Sequence, residues 1–277
     1  AGGHTAPAYP APFLSPDVSA VVVDDGEQVM PRLCDAVAKG GRINCVPGLS
    51  VRGTDGQHVR TGPADSFVLD RVPLPARVHV NRWRNRYACL AHRPVWLIET
   101  ARGCPFRCSF CSIWQLHSRM VRERSIESVA SDFESVGDHV FVADDLFWHH
   151  PSGSLALAAE LIRRRVRKKW ILVQSRVDLV ARHPELLEAW RPLAREFDIF
   201  FGLEAATNEG LSDLSKDATI SDSVEGIDVA RRCGYGVTGN FVIDPAWQEA
   251  DFERLWAFVE KFELYQAGFT ILTPLPG

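Results

Sequence analysis

Three cysteines stand close together in residues 101–111, which read Ala-Arg-Gly-Cys-Pro-Phe-Arg-Cys-Ser-Phe-Cys. Cys104, Cys108 and Cys111 have the spacing CxxxCxxC, which lets three thiolates in one tight loop converge on a metal centre. No fourth ligand follows nearby. Structural zinc takes four protein ligands, whereas a [4Fe-4S] cluster held by three thiolates leaves one iron open to another molecule. We therefore predict an iron–sulfur site with a vacant iron.

The composition excludes several classes of protein. The 277 residues are 46% hydrophobic, which is enough for a substantial core, and 31 basic against 35 acidic residues give a net charge of -4. Nothing in this balance indicates a nucleic-acid partner. No apolar run reaches the roughly 20 residues that cross a bilayer, and residues 1–16 lack the features of a signal peptide. The scattered remaining cysteines indicate a reducing cytosol rather than disulfides. We expect three of them to be small buried hydrophobes: Cys34, Cys45 and Cys233.

The first part of the chain predicts a piece of an open α/β layer. A β-branched strand over 18–23 precedes a helix over 27–39, whose core face should carry Val29, Leu33 and Val37 and which should end at Gly40. A hairpin is predicted over 47–61, and residues 66–93, rich in Pro and Arg, read as an extended linker. We accordingly divide the chain into residues 1–46, a hairpin and linker over 47–93, and a main domain over 94–277.

The main domain has a regular alternation of strands and helices. Intervals of roughly 30 residues between strands are typical of βα units, and the apolar strands favour a parallel sheet covered by helices. The sequence therefore predicts an α/β fold, a partial (βα)6 barrel. The strands begin near Pro94, His139, Trp170, Phe197, Tyr235 and Ala267. The predicted helix faces are Ile126, Val129 and Phe133; Leu186, Leu187 and Trp190; and Phe252, Leu255, Trp256 and Val259.

Polar residues follow every predicted strand. Functional groups of such barrels gather at the carboxyl ends of the strands, so six polar ends around one rim predict a site. After the cysteine loop, these ends are Asp144-Asp145, Gln174-Ser175-Arg176, Gly202-Leu203-Glu204, Gly239-Asn240 and Thr273-Pro274-Leu275-Pro276.

The cysteine motif after the first strand of a six-unit barrel resembles the radical SAM enzymes. The lead-in Arg102-Gly103-Cys104-Pro105, the Asp144-Asp145 pair and Gly202-Leu203-Glu204-Ala205 are similar to the branch with an N-terminal cobalamin-binding domain. Residues 1–46 look like the C-terminal remnant of that Rossmann-like domain, and the chain looks truncated at both ends. Residues 237–245 and 268–277 look most like hopanoid C-3 methylases.

This resemblance implies the cofactors and their ligands. In such enzymes three cysteines bind [4Fe-4S], and the open iron chelates S-adenosylmethionine (SAM). Cleavage of SAM gives a radical that removes hydrogen from a saturated carbon. Cobalamin carries the methyl group. Gly2 and Gly3 are implied at the cobalamin site. For SAM, Phe110 is implied at the adenine, Glu204 at the ribose, Arg176 or Gln174 at the carboxylate, Asp144 or Asp145 at the ammonium, and Asn240 among the other cofactor-binding residues.

Simpler interpretations remain open for several of these residues. The cysteines could hold structural zinc with Cys89 or His92 as a distant ligand. Arg176 could pair with Asp178, the Asp144-Asp145 pair could cap a helix, and Glu204 could be a solvated carboxylate. The pair His149-His150 is expected to be exposed. The basic run 163–169 is expected to be a solvated helix end, with docking to an anionic membrane as the alternative.

The implied activity is transfer of a methyl group through methylcobalamin to an unactivated carbon, such as C-3 of a hopanoid lipid. The alternatives are a radical SAM cyclase or rearranging enzyme and a non-catalytic, zinc-stabilised module. A lipid or small-molecule substrate and an electron donor such as a flavodoxin or ferredoxin are the expected partners. A cytoplasmic location follows, with a peripheral position at the inner membrane surface if the substrate is a lipid. The Asp-x-His-x-x-Gly loop of many cobalamin domains is absent from these residues.

Overall fold

The computed structural model describes residues 5–15, 17–53, 55–65, 68–264 and 266–275. Two compact units divide the chain, one up to Val72 together with the residues from Pro274, and one over Pro73–Thr273. The predicted cobalamin contacts Gly2 and Gly3 lie outside the described residues.

The first unit contains a small antiparallel sheet. Its strands pair in the order β1, β2, β3. Its elements are α1 (Thr5–Ala8), β1 (Ala20–Val22), α2 (Gly26–Ala38), β2 (Leu49–Arg52) and β3 (His58–Arg60), with 3-10 turns at Ala11–Phe13, Ile43–Cys45 and Leu69–Arg71. The hairpin of β2 and β3 pairs with β1 and therefore belongs to this unit, not to a connecting segment.

The predicted strand and helix of this unit are present, with one difference in the helix face. Val29 is fully buried and Leu33 packs against the same cluster, but Val37 is 63% exposed. Ala36, which is partly buried, packs against this cluster instead. Gly40 adopts a φ of +64° just after the helix, as its predicted role at the helix end requires. Cys34 and Cys45, expected to be buried, are exposed.

The second unit is built on a six-stranded parallel sheet, as predicted. Its strands are hydrogen-bonded in sequence order: β4 pairs with β7, and β8 to β11 follow. The strands of this unit are β4 (Trp96–Ile98), β5 (Ala101–Arg102), β6 (Arg122–Glu123), β7 (His139–Val142), β8 (Lys168–Ser175), β9 (Ala194–Glu204), β10 (Gly236–Ile243) and β11 (Gly268–Ile271). β5 and β6 form a separate antiparallel pair at the end of β4.

Helices connect the parallel strands and cover one face of the sheet. They are α3 (Ile113–Leu116), α4 (Ile126–Ser135), α5 (Pro151–Arg163), α6 (Val177–Arg182), α7 (Pro184–Trp190), α8 (Asn208–Asp213), α9 (Ile220–Arg232) and α10 (Glu249–Lys261), with a 3-10 turn at Arg191–Leu193. The Ser125 side chain caps α4, and Thr219 with Asp222 forms a capping box at α9. These polar residues therefore fix where the helices begin.

Alternate residues of the strands face opposite sides of the sheet. Ile171 and Val173 of β8 join the main core beneath the helices, whereas Trp170 and Leu172 belong to a second apolar cluster with Phe200. We call this second side the inner face of the sheet. Gln174 lies on it by the same alternation, and so do Gly202 and Glu204 of β9.

The predicted helix faces are correct at most positions. Leu186, Leu187 and Trp190 are fully buried, and Val129 and Phe133 are at most 1% exposed. On α10 the core residues are Leu255 and Phe258, while Phe252 and Trp256 are 48% and 64% exposed. The buried face of α10 therefore differs from the predicted one, because the apolar residues of this helix occur on more than one side. Ile126, at the first turn of α4, is 37% exposed, and Cys233 is only half-buried.

Within the described residues, three of the six basic residues in the run 163–169 form ion pairs. Arg164 forms ion pairs with Glu127, Glu134 (2.9 Å) and Glu160 (2.6 Å), which join α4 to α5. Lys169 pairs with Asp138, and Lys168 is buried with its ammonium on the carbonyl of Val136. No described helix is both long and apolar enough to cross a membrane.

The segment predicted as an extended linker contains a run of 3-10 turns over Arg77–Arg86 instead. Two arginines hold it against the sheet and α4. Arg77 donates at 2.6 Å to Asp132, which is 1% exposed, and Arg84 stacks at 3.5 Å over the ring of Trp96. The Pro and Arg content predicts an extended chain, but one ion-paired and one ring-stacked guanidinium group hold the segment in place.

Removing the Arg77 charge should destabilise the fold substantially. In Arg77→Met the Asp132 carboxylate stays buried without its partner, so we expect the free energy of unfolding to fall by about 2 to 4 kcal/mol. Arg82→Met in the same segment is the matched control, because Arg82 is exposed over Trp83. This variant should lose less than about 1 kcal/mol of its free energy of unfolding. Urea unfolding measures both. Equal losses would mean that the Asp132 pair does not order this segment.

Candidate functional site

The cysteine loop begins at a glycine that no other residue could replace without a shift of the backbone. Gly103 has a φ of +106°, and a Cβ at this position would lie 2.1 Å from the carbonyl oxygen of Met120. Its N–H donates at 2.7 Å to Asp145 Oδ2. The loop is also fastened to the end of α8, where the Ser109 N–H donates at 3.0 Å to the Leu214 carbonyl. The loop therefore has a fixed position at the carboxyl ends of the strands.

The three cysteines of the motif are grouped in this loop. Cys108 is buried, and Cys104 and Cys111 are partly exposed. Burial raises the pKa of the Cys104 and Cys111 thiols above the ordinary value, and the nearby Cys108 raises both further. Thiolates in this loop therefore need a positive partner, which a bound metal supplies.

Among the described residues, no three His, Cys, Asp or Glu side chains come close enough together to hold one metal ion. In an iron–sulfur cube each thiolate binds a different iron, so three thiolates need only surround the cube.

The zinc alternative names Cys89 or His92 as the fourth ligand. His92 stacks at 4.1 Å on Trp170 and lies near His139, at the beginnings of β7 and β8. Cys89 is bridged to His92 through the backbone. Both residues therefore lie at the end of the sheet opposite to the cysteine loop.

Arg176 is buried directly after β8, and its donors are directed at the chain itself. Nε donates at 2.8 Å to Asp178, as the simpler interpretation expected, and Nη2 donates to the carbonyls of Lys216 (2.6 Å) and Asp217 (2.9 Å). Nη1 lies 3.9 Å from Cys108 Sγ, and the guanidinium stacks at 3.7 Å on Phe106. Arg176 therefore supports the cysteine loop.

Gln174 is the other residue predicted at the SAM carboxylate. It is half-buried near the end of β8, and in the described part of the chain no group bonds its side-chain amide. Its donors and acceptor therefore stay available on the inner face.

The two aspartates after β7 have different surroundings. Asp144 is 2% exposed and accepts from Thr100, through the backbone N–H at 2.6 Å and through the hydroxyl. Burial raises its pKa to about 7, against the opposing effect of the Thr100 hydrogen bonds. Asp145 is exposed and faces the cysteine loop through Gly103. Asp144 thus joins β7 to the end of β4, and Asp145 is the carboxylate that a ligand can reach.

Glu204 ends β9 in a buried ion pair that the sequence did not predict. Lys216 Nζ donates at 2.9 Å to Glu204 Oε1, and both residues are about nine-tenths buried or more. Glu204 is therefore not the solvated carboxylate of the simpler interpretation. Lys216 lies in the loop after α8, and its charge lowers the pKa of the nearby Cys111 thiol against the larger effect of burial. A lysine in a loop gives no sequence signal of burial.

The remaining candidates are more dispersed. Phe110 is half-buried in the cysteine loop. Asn240 lies within β10, which continues to Ile243, so the predicted strand end was too early. Its Oδ1 accepts from Thr270 of β11 at 3.4 Å. Thr273 is exposed after β11, and Pro276 lies outside the described residues.

The adjacent histidines share one carboxylate. His149 Nε2 lies 2.9 Å and His150 Nδ1 3.3 Å from Glu123 Oε1. The prediction of exposure is correct for His150 but not for His149, whose side chain is 16% exposed. Burial lowers the pKa of His149.

Comparison with known proteins identifies relatives over the whole chain. The model of the radical SAM superfamily matches residues 98–259. A hopanoid C-3 methylase of Methylococcus capsulatus is 31% identical over all of this chain and 53% of its own. An anaerobic magnesium-protoporphyrin IX monomethyl ester cyclase of Rubrivivax gelatinosus is 28% identical over 95% of this chain and 48% of its own.

A solved structure has the same fold. The cobalamin-dependent S-adenosylmethionine radical enzyme OxsB, with aqua-cobalamin bound, superposes with a TM-score of 0.76 over 94% of this chain and 38% of its own, at 18% identity. The predicted partial barrel is therefore confirmed. The chain spans about half the length of the curated relatives it matches.

The buried Asp144 should make stability depend on pH. Its carboxyl holds a proton up to about pH 7 in the folded chain, whereas an unfolded aspartate ionises near about pH 4. The folded state binds this proton more tightly, so raising the pH from 5 to 8 should lower the free energy of unfolding by about 3 kcal/mol.

The Asp144→Asn variant should lack this contribution, and the matched Asp145→Asn variant should retain it. Urea unfolding of the three proteins at both pH values measures the difference. If Asp144→Asn and the natural chain lose the same stability over this range, Asp144 is ionised when buried.

Proposed function

Because the chain belongs to the radical SAM superfamily, we propose that Cys104, Cys108 and Cys111 hold a [4Fe-4S] cluster whose fourth iron binds SAM. The observation that carries this proposal is the presence of three free thiols in one loop that is fixed at the carboxyl ends of the sheet. When bound, such a cluster would supply the electron for radical chemistry on SAM that is directed at a saturated carbon–hydrogen bond.

The side chains around the loop suit the parts of SAM. Asp145 is exposed and negative, so we assign it to the ammonium group in preference to Asp144, whose two oxygens are occupied by Thr100. The unpartnered amide of Gln174 is assigned to the carboxylate. Glu204 is assigned to the ribose hydroxyls, because one of its oxygens has no donor within the described residues.

Phe110 is assigned to the adenine, and Asn240 stays a weaker candidate for cofactor binding. Phe110 directly precedes the last cysteine of the loop and keeps a partly exposed ring. Asn240 is engaged with β11, which leaves less of its amide available. Gly2 and Gly3 are proposed cobalamin contacts on the resemblance alone.

The whole protein is proposed to transfer a methyl group through cobalamin to an unactivated carbon of a hopanoid or another lipid or small molecule. The relative in Methylococcus capsulatus supports this activity over the complete length of the chain. The second candidate is a cyclase or rearranging enzyme, which the Rubrivivax gelatinosus relative favours at 28% identity.

An electron donor such as a flavodoxin or ferredoxin completes the proposed reaction. Arg107 and Arg119 carry positive charge at the cysteine loop, and an acidic carrier would meet them there; Arg119 donates to the Pro105 carbonyl at 3.3 Å. We propose a cytoplasmic location, where free cysteines stay reduced. A lipid substrate would place the protein at the inner membrane surface. The basic run 163–169 gives this location little support, because Arg164 and Lys169 are already paired with carboxylates of the chain.

The cluster assignment predicts the iron content of cysteine variants. Anaerobic reconstitution of the natural chain should give about four irons and four sulfides. Changing Cys104, Cys108 or Cys111 singly to Ser should remove most of both, because no neighbouring thiol can replace the lost ligand. The control Cys34→Ser, exposed in the first unit, should keep full content. Stoichiometric zinc without sulfide would instead support the non-catalytic module.

The methylase and the cyclase differ in their products. Full-length protein containing this chain, supplied with SAM, reductant, cobalamin and candidate hopanoids, should form S-adenosylhomocysteine together with 5′-deoxyadenosine, and the lipid should gain one methylene in mass. Mass spectrometry measures all three. Formation of 5′-deoxyadenosine without S-adenosylhomocysteine would favour the cyclase or rearranging enzyme.

A further inference from the structure

Glu204 and Lys216 form a pair that is unusual for its burial. Their side chains are 7% and 6% exposed, and the ammonium bonds only one carboxylate oxygen, Oε1, at 2.9 Å. Buried charges of this kind are costly unless each has its partner. The second oxygen, Oε2, has no hydrogen-bond donor in the described ranges of the chain. A buried carboxylate therefore keeps one strong acceptor unused.

The backbone is built around this pair. Glu204 has a φ of +66°, which is uncommon for a residue other than glycine. Gly202 stands beside it, where a Cβ would lie 2.3 Å from Glu204 Oε1 and 3.0 Å from Lys216 Nζ. A Cβ at this position would therefore displace the ends of both side chains.

Lys216 is itself fixed from its other end. Its carbonyl oxygen accepts from Arg176 Nη2 at 2.6 Å, and its N–H donates to the Leu211 carbonyl at 3.0 Å. The ammonium group therefore approaches Glu204 from a backbone that cannot shift independently. Contact on Oε1 turns the carboxylate so that Oε2 is the oxygen left for a ligand.

We propose that Lys216 is a positioning residue that holds Glu204 with Oε2 presented to a vicinal diol, the ribose of the SAM nucleoside. The inference rests on the proposed function, since it takes SAM as the ligand. A carboxylate oxygen accepts from two adjacent hydroxyl groups, and the ammonium on Oε1 fixes the orientation of the carboxylate for this purpose. Lys216 acts through Glu204 and needs no contact with SAM.

The test uses a nucleoside that does not need the open iron. 5′-Methylthioadenosine has the diol of SAM but lacks its amino acid, and its 2′-deoxy analogue lacks one hydroxyl. On the anaerobically reconstituted chain, equilibrium dialysis should show that the diol form binds at least about tenfold more tightly than the deoxy form.

In Lys216→Met this preference should fall to about twofold or less, while the iron content stays that of the natural chain. Lys216→Arg should recover most of it. Gly202→Ala displaces the pair without removing either charge and should lose the preference in the same way. The controls are Lys169→Met, from the exposed pair with Asp138, and Gly26→Ala, where a Cβ meets no atom within 4 Å.

The outcomes separate this inference from the proposed function. If the natural chain holds iron and prefers the diol but Lys216→Met and Gly202→Ala keep the preference, the positioning role is wrong. If the affinities for both nucleosides fall equally in these variants, Lys216 has a general structural role and the inference also fails. If Lys216→Met does not fold, Gly202→Ala alone decides. A natural chain without iron or SAM binding would overturn the proposed function itself.

Discussion

A buried guanidinium group organises the candidate site. Arg176 leaves the end of β8 and reaches Asp178, the backbone at Lys216 and Asp217, and the cysteine loop through Phe106 and Cys108. These segments are distant in the chain, and the sheet brings only their strands together. Arg176 replaces the water that the buried carbonyls would otherwise need. The cysteine loop and the Lys216 loop therefore keep a fixed relation to each other.

The buried charges of the site are arranged in pairs. Arg176 is paired with Asp178 and Lys216 with Glu204, so each buried charge has an opposite neighbour. Asp145 remains exposed at the start of the loop. Three thiolates would add negative charge here, and burial already disfavours their ionised form. Binding of a cationic centre is therefore what makes the ionised loop stable.

Much of the fold could be predicted from the sequence because apolar periodicity reports burial directly. The six parallel strands and the cysteine loop after β4 follow from such patterns. Val37 and Trp256 show the limit: each fits an apolar face by spacing, but the sheet beneath does not extend to them. The sequence predicts candidate site residues where the residue type itself indicates the chemistry, as it does for the cysteines. It could not be predicted where burial decides the role, as for Lys216 and Asp144.

Local strain distinguishes the end of β9 from an ordinary strand end. A residue other than glycine with positive φ costs on the order of 1 kcal/mol or more, and such residues persist when their surroundings fix them. Glu204 has this conformation, whereas Gly202, two residues earlier, does not, although a glycine could adopt it freely. The glycine is instead used to admit the Glu204–Lys216 pair. The chain thus accepts backbone strain at a residue whose carboxylate has one oxygen bonded to Lys216, and this placement is what the proposed binding role of Glu204 requires.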